Sequence, residues 1–175
     1  MIKSIYNLFK NNILEKIEEI KYVGLFVDQF NREKTSRVIN YPAILIEILP
    51  FQLENLLGNT QHSIVSVKLH VATQLFNTQD YDDSMIDESV EFLSIIDKIK
   101  DKLTNLSSFA DPIFVDNKYI VIGVTDCNNI EINIPHENLY YCNLTFKTSV
   151  GIGLKEDTTS YLEVNSIPIT INNNI

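Results

Sequence analysis

The chain has 175 residues, 45% hydrophobic and 21% charged, with five Gly, five Pro, two Cys and a net charge of −9. This profile excludes collagen-like, low-complexity and grossly disordered chains, and two cysteines exclude a disulfide scaffold or a cysteine-rich zinc module. Residues 1–40 carry seven Lys/Arg against five Asp/Glu, residues 41–110 four against ten, and residues 111–175 three against eight; such a surface disfavours sequence-reading nucleic-acid binding and adhesion to anionic membranes.

The first segment places Ile2, Ile5, Tyr6, Phe9, Ile13, Ile17 and Ile20 on one helical stripe, which predicts an amphipathic helix packed on a core. Lys, Asn and Glu interrupt it every few residues, so it lacks the apolar core of a signal peptide, and no segment has the length of a membrane span. The expectation is a chain made in a cytoplasm, with no membrane partner. Tyr22–Gln29 reads as a strand, and the polar stretch Asn31–Asn40, with Arg32, Lys34 and Arg37, as an extended hairpin loop. Tyr41-Pro42 opens the strand AILIEIL, ended by Pro50; proline suits a strand's first residues because it cannot donate a ladder hydrogen bond. Gln52–Gln61 reads as a turn region with a helical half-turn.

Ser63–Phe76 alternates cleanly: Val65, Val67, Leu69 and Val71 face one way, and Ser66, Lys68, His70 and Ala72 the other, predicting one buried and one wet face. A second helix is expected from Ser84, with Ile86, Val90, Leu93, Ile96, Ile99 and Leu103 as its apolar stripe. Acidic residues at its start (Asp82, Asp83, Asp87, Glu88) and lysines at its end (Lys98, Lys100, Lys102) complement the helix dipole. Strands follow: Pro112–Val124 with a turn near Asp116-Asn117, then Ile130, Ile132 and Ile134 in alternation, then Tyr140, Cys142, Leu144 and Phe146. Gly151–Gly153 and Lys155–Ser160 read as a linker to a terminal strand with Leu162, Val164, Ile167, Ile169 and Ile171, weakened by Pro168. The expected fold is α+β: two helices packed on a mainly antiparallel β-sheet in one domain, residues 1–150, with a C-terminal β extension, residues 151–175.

Candidate chemistry is sparse. Cys127 and Cys142 have no C-x-x-C spacing, and Cys142 reads as a small core residue. His62 and His70 fall at or near one strand roughly 26 Å apart, too far to share a metal, and His136 follows Pro135 in a turn; all three read as wet-face or loop histidines. The acidic cluster Asp80, Asp82, Asp83, Asp87 and Glu88 lacks EF-hand spacing and reads as helix-start charge. Phosphate-loop, dinucleotide and nucleophile-elbow motifs are absent. The expectation is no catalytic residue, no cofactor and no metal, hence not an enzyme.

The order "YPAILIE … VSVKLHV … helix … YYCNLTFKT" resembles the tail terminator (tail completion) proteins of long-tailed bacteriophages, over about residues 1–150. The resemblance implies a structural virion protein, assembled in the host cytoplasm. Its hexameric ring would cap the tail tube and join it to the neck. It implies as partners other copies of the chain, the tail tube protein, a neck or head-completion protein and, in a contractile tail, the sheath. DNA would pass through the lumen without specific binding, which an acidic chain favours. The extension after Gly151 departs from the family pattern. Expected contact residues are Arg32, Lys34 and Arg37, facing an acidic neighbour, and Leu162, Val164, Ile167 and Ile169, adding to a neighbour's sheet edge or folding back on their own sheet. The alternatives are another head–tail connector or neck protein, and a small enzyme whose Asp82, Asp83 and Asp87 hold a divalent metal.

Overall fold

A computed structural model describes residues 2–14, 16–27, 39–55, 61–74, 83–104, 113–114, 119–136 and 139–152. The fold is α+β. The helices are α1 (Ile2–Leu14) and α2 (Asp83–Thr104). The strands are β1 (Tyr22–Leu25), β2 (Ala43–Ile48), β3 (Glu54–Asn55), β4 (Gln61–Gln74), β5 (Ile113–Phe114), β6 (Tyr119–His136) and β7 (Leu139–Ile152). They form one sheet in the order β1-β2-β4-β7-β6-β5, with β3 on the first residues of β4. All pairings are antiparallel except β1 with β2.

That parallel pair corrects the sequence expectation of a hairpin around Asn31–Asn40. Tyr22 pairs with Ala43 and Leu25 with Ile46, so the chain leaving β1 must return to the opposite end before β2 begins. Parallel strands require such a crossover, and the 17 residues Phe26–Pro42 supply it. Backbone bonds from Lys21 N to the Pro42 carbonyl and from Phe26 N to the Ile46 carbonyl, both 2.9 Å, extend the pairing at each end.

The core lies between the helices and one face of the sheet. Val65, Val67, Leu69 and Val71 of β4 are fully buried there, beside Ile44 and Ile46 of β2 and Cys142, Leu144 and Phe146 of β7. Ile5 and Phe9 of α1 and Phe92, Ile95, Ile96, Ile99 and Leu103 of α2 close it from above, with Phe9 edge-on to Phe146 at 6.3 Å between centroids.

Two other expectations change. The first helix ends at Leu14, yet Ile17 and Ile20 remain buried, so the apolar stripe runs on into a connector instead of prolonging the helix. Asn11 and Asn12 precede that end, and asparagine is a weak helix former. On α2 the buried stripe turns toward Phe92 and Ile95, leaving Val90 and Leu93 exposed. In the expected turn region Gln52–Gln61, Glu54 and Asn55 form β3, with Glu54 opposite His62, and residues 56–60 lie outside the described residues. The terminal strand expected beyond Gly153 lies outside the described residues.

Candidate functional site

The sheet face away from the core carries the polar chemistry. The register sets two rows across the central strands: Leu45, His70, Asn143 and Glu131 in one, and Glu47, Lys68, Thr145 and Asn129 in the next. Alternation explains the composition on β2, β4 and β7, where each of these residues sits one position from a core residue on its own strand.

His70 is the centre. Its Nε2 is 2.7 Å from Glu47 Oε2, its Nδ1 meets the Tyr141 hydroxyl, and its ring stacks on Phe26 at 3.8 Å and 6°. The expectation of a wet-face histidine is therefore corrected: His70 is only 4% exposed. Burial depresses its pKa from the ordinary 6.5, and the Glu47 carboxylate offsets only part of that. The neutral ring then donates Nε2–H to Glu47 and accepts the Tyr141 hydroxyl proton at Nδ1. This line ties β2, β4 and β7 together. With Phe26 over the ring, it is a closed hydrogen-bonded staple rather than an open acid–base site.

A second network spreads from Glu131. Asn129 Nδ2 donates to its Oε1 at 2.8 Å, Asn143 Nδ2 to its Oε2 at 3.3 Å, and Lys68 Nζ lies 3.8 Å away. The two amide donors, then the Lys68 charge, hold the Glu131 carboxyl below the usual range. His62, expected on a wet face, contacts Ser149 Oγ at 2.6 Å.

On the opposite side of the molecule, Lys16, Lys21, Lys98 and Lys102 line a shallow groove with Glu18 and Glu19, where Lys98 pairs with Glu19. It is a basic patch on an acidic chain, formed where the α1–β1 connector meets the end of α2.

Arg32, Lys34 and Arg37 lie outside the described residues, as do Leu162, Val164, Ile167 and Ile169. Asp80 and Asp82 do also, while Asp83 and Asp87 fall in the first turns of α2. Among the described residues no group of three or more His, Cys, Asp or Glu is placed to hold a metal, and no helix is long and apolar enough to cross a membrane. Cys142 sits in the core, where burial pushes its thiol up to about 11. The sequence hides the His70 staple because Glu47, Tyr141 and Phe26 are distant along the chain, and His70 stands in the polar half of an alternating strand with Ser66 and Lys68.

A scan against protein-family models and a search of curated proteins return no match for this chain.

Proposed function

We propose that the chain is a structural virion protein of the tail terminator kind, forming a hexameric ring on the end of a phage tail tube and joining it to the neck. The observation that carries this reading is the layout of the sheet. Both helices cover one face, the other face is polar, and the sheet ends in two unlike edges: four-residue β1 on one side, and long β6 with two-residue β5 on the other. A ring closes through heterologous contacts, each subunit offering two different side surfaces, and unlike edges provide them. The acidic balance, −9 overall, suits a lumen that DNA crosses without sticking. The tube protein would lie below the ring, a head-completion protein above it, and the sheath beside it in a contractile tail.

The test is a symmetry-resolved map of the assembled particle. The expected result is this chain in a sixfold ring in direct contact with the last tube ring. A twelvefold or threefold arrangement removes the terminator reading, and a twelvefold one assigns the chain to a connector.

A further inference from the structure

Among the described residues, the outer edge of β6 is open over most of its length. β6 pairs with β7 from Tyr119 to His136, but with β5 only at Ile120 and Val121. Among the described residues, nothing pairs with its other edge from Gly123 onward. Proteins protect such edges with bulges, and the β6–β7 register shifts four times. The run Asn129–Asn133 escapes this: five consecutive residues keep regular pairing with Thr145–Tyr141. Within it, Ile130 and Ile132 face the helix side, opposite the buried Leu144 and Cys142, yet they are 44% and 55% exposed. α2 contacts β6 but leaves these two isoleucines bare. A regular, unpaired strand edge with an apolar row on one face is a template for an added strand.

The chain contains a matching segment. The 23 residues after Ile152 include Ile167, Ile169 and Ile171 at strand spacing. Pro168 sets how such a segment binds. Having no N–H, it must turn outward, so the backbone groups of Ile167 and Ile169 turn toward the acceptor strand. Pro168 then blocks the new outer edge, and one strand is added rather than a growing stack.

We propose that Asn129–Asn133 of β6 is the docking site for residues 167–171 of a second copy of this chain. Ile167 and Ile169 cover Ile130 and Ile132 as cross-strand neighbours. A second copy is favoured over the chain's own tail by where β7 ends. Ile152 lies opposite Tyr119, whereas Ile130 lies opposite Leu144, eight residues or about 26 Å away along the sheet. A tail that turned directly from Ile152 onto the outer edge of β6 would run parallel to it, the weaker pairing. A tail from another copy can approach from either end of β6 and pair antiparallel. The proposal stands without the tail-terminator reading, since it concerns how copies join and not what the assembly caps.

Disulfide trapping in the full-length chain tests it. In a Cys127→Ser background, which removes the partly exposed thiol and keeps the buried Cys142, tagged Ile132→Cys protein is mixed with untagged Ile169→Cys protein under mild oxidation. The expected product is a crosslink between tagged and untagged chains, in excess of either homodimer. Ile130→Lys/Ile132→Lys and Ile167→Asp/Ile169→Asp should each weaken self-association at least tenfold in sedimentation equilibrium, with unchanged thermal melting. The proposal is overturned if mixed chains do not crosslink. It is equally overturned if Ile132→Cys/Ile169→Cys in one chain closes only an intramolecular loop, which places the tail on its own sheet, or if both pairs of charge substitutions leave association unchanged.

Discussion

Replacing Glu47 by alanine probes the staple on the polar face. The change removes the acceptor of His70 Nε2–H, a bond of 2.7 Å, and leaves that donor inside a residue 4% exposed. A buried donor without a partner costs about 1–3 kcal/mol. The Glu47 side chain is 34% exposed, so water can reach the vacated position, which places the cost toward the lower part of that range. In a domain of this size, about 1–3 kcal/mol lowers Tm by about 2–12 °C. Glu47→Gln keeps an acceptor oxygen and should cost less at pH 7.5. The pH dependence separates the two effects. His70 has a folded pKa below its ordinary 6.5, so the unfolded state takes up the proton first as pH falls. This contribution to stability is complete above about pH 6.5 and is lost progressively as pH drops through the depressed folded value. Glu47→Gln removes the charge that holds the His70 pKa up, so its stability should fall further than wild type between pH 6.5 and 5. His70→Leu should lose less than wild type over the same interval. The chain has eight Tyr and no Trp, so urea unfolding followed by far-UV circular dichroism at several pH values is the assay. If His70→Leu loses as much stability on acidification as wild type, His70 is not the titrating group and the reasoning fails.

Phe146→Ala should cost about 3–5 kcal/mol, because it empties a fully buried ring position against Phe9, whereas Ile132→Ala at an exposed position should stay within about 0.5 kcal/mol; thermal melts compare them. Thiol titration of the native protein at pH 8 should label Cys127 slowly and leave Cys142 untouched, since burial raises both thiols and takes Cys142 to about 11; in urea both should react, and equal native rates would contradict the buried position. Arg32→Ser/Lys34→Ser/Arg37→Ser should impair tail assembly with nearly unchanged melting, and normal assembly would remove these residues from the contact surface.

Local rules made several elements legible. The alternation of Val65, Val67, Leu69 and Val71 named both the strand and its buried face, and Pro42 marked where β2 begins. What depended on distant partners was hidden. A stripe from Ile2 to Ile20 fits one helix, but a buried loop can carry the same apolar residues, so the end of α1 at Leu14 was not visible. On α2, apolar residues occupy two adjoining sides, and only docking against α1 and the sheet selected Phe92 and Ile95 over Val90 and Leu93. The parallel β1–β2 pair was concealed because strand direction is decided by a crossover rather than by either strand's residues. His70 looked wet because its cover comes from Phe26, Glu47 and Tyr141, which the sheet brings together from three separate strands or strand ends.

The central proposal is that this chain closes a ring at the end of a tail tube. The most direct measurement is a cryo-electron microscopy map of the assembled particle, with the chain traced into density. The expected density is six copies around the tube axis, touching the last tube ring, with the β6 edge of each subunit turned toward its neighbour. Twelvefold or threefold density for this chain, or a particle that lacks it altogether, would contradict the account.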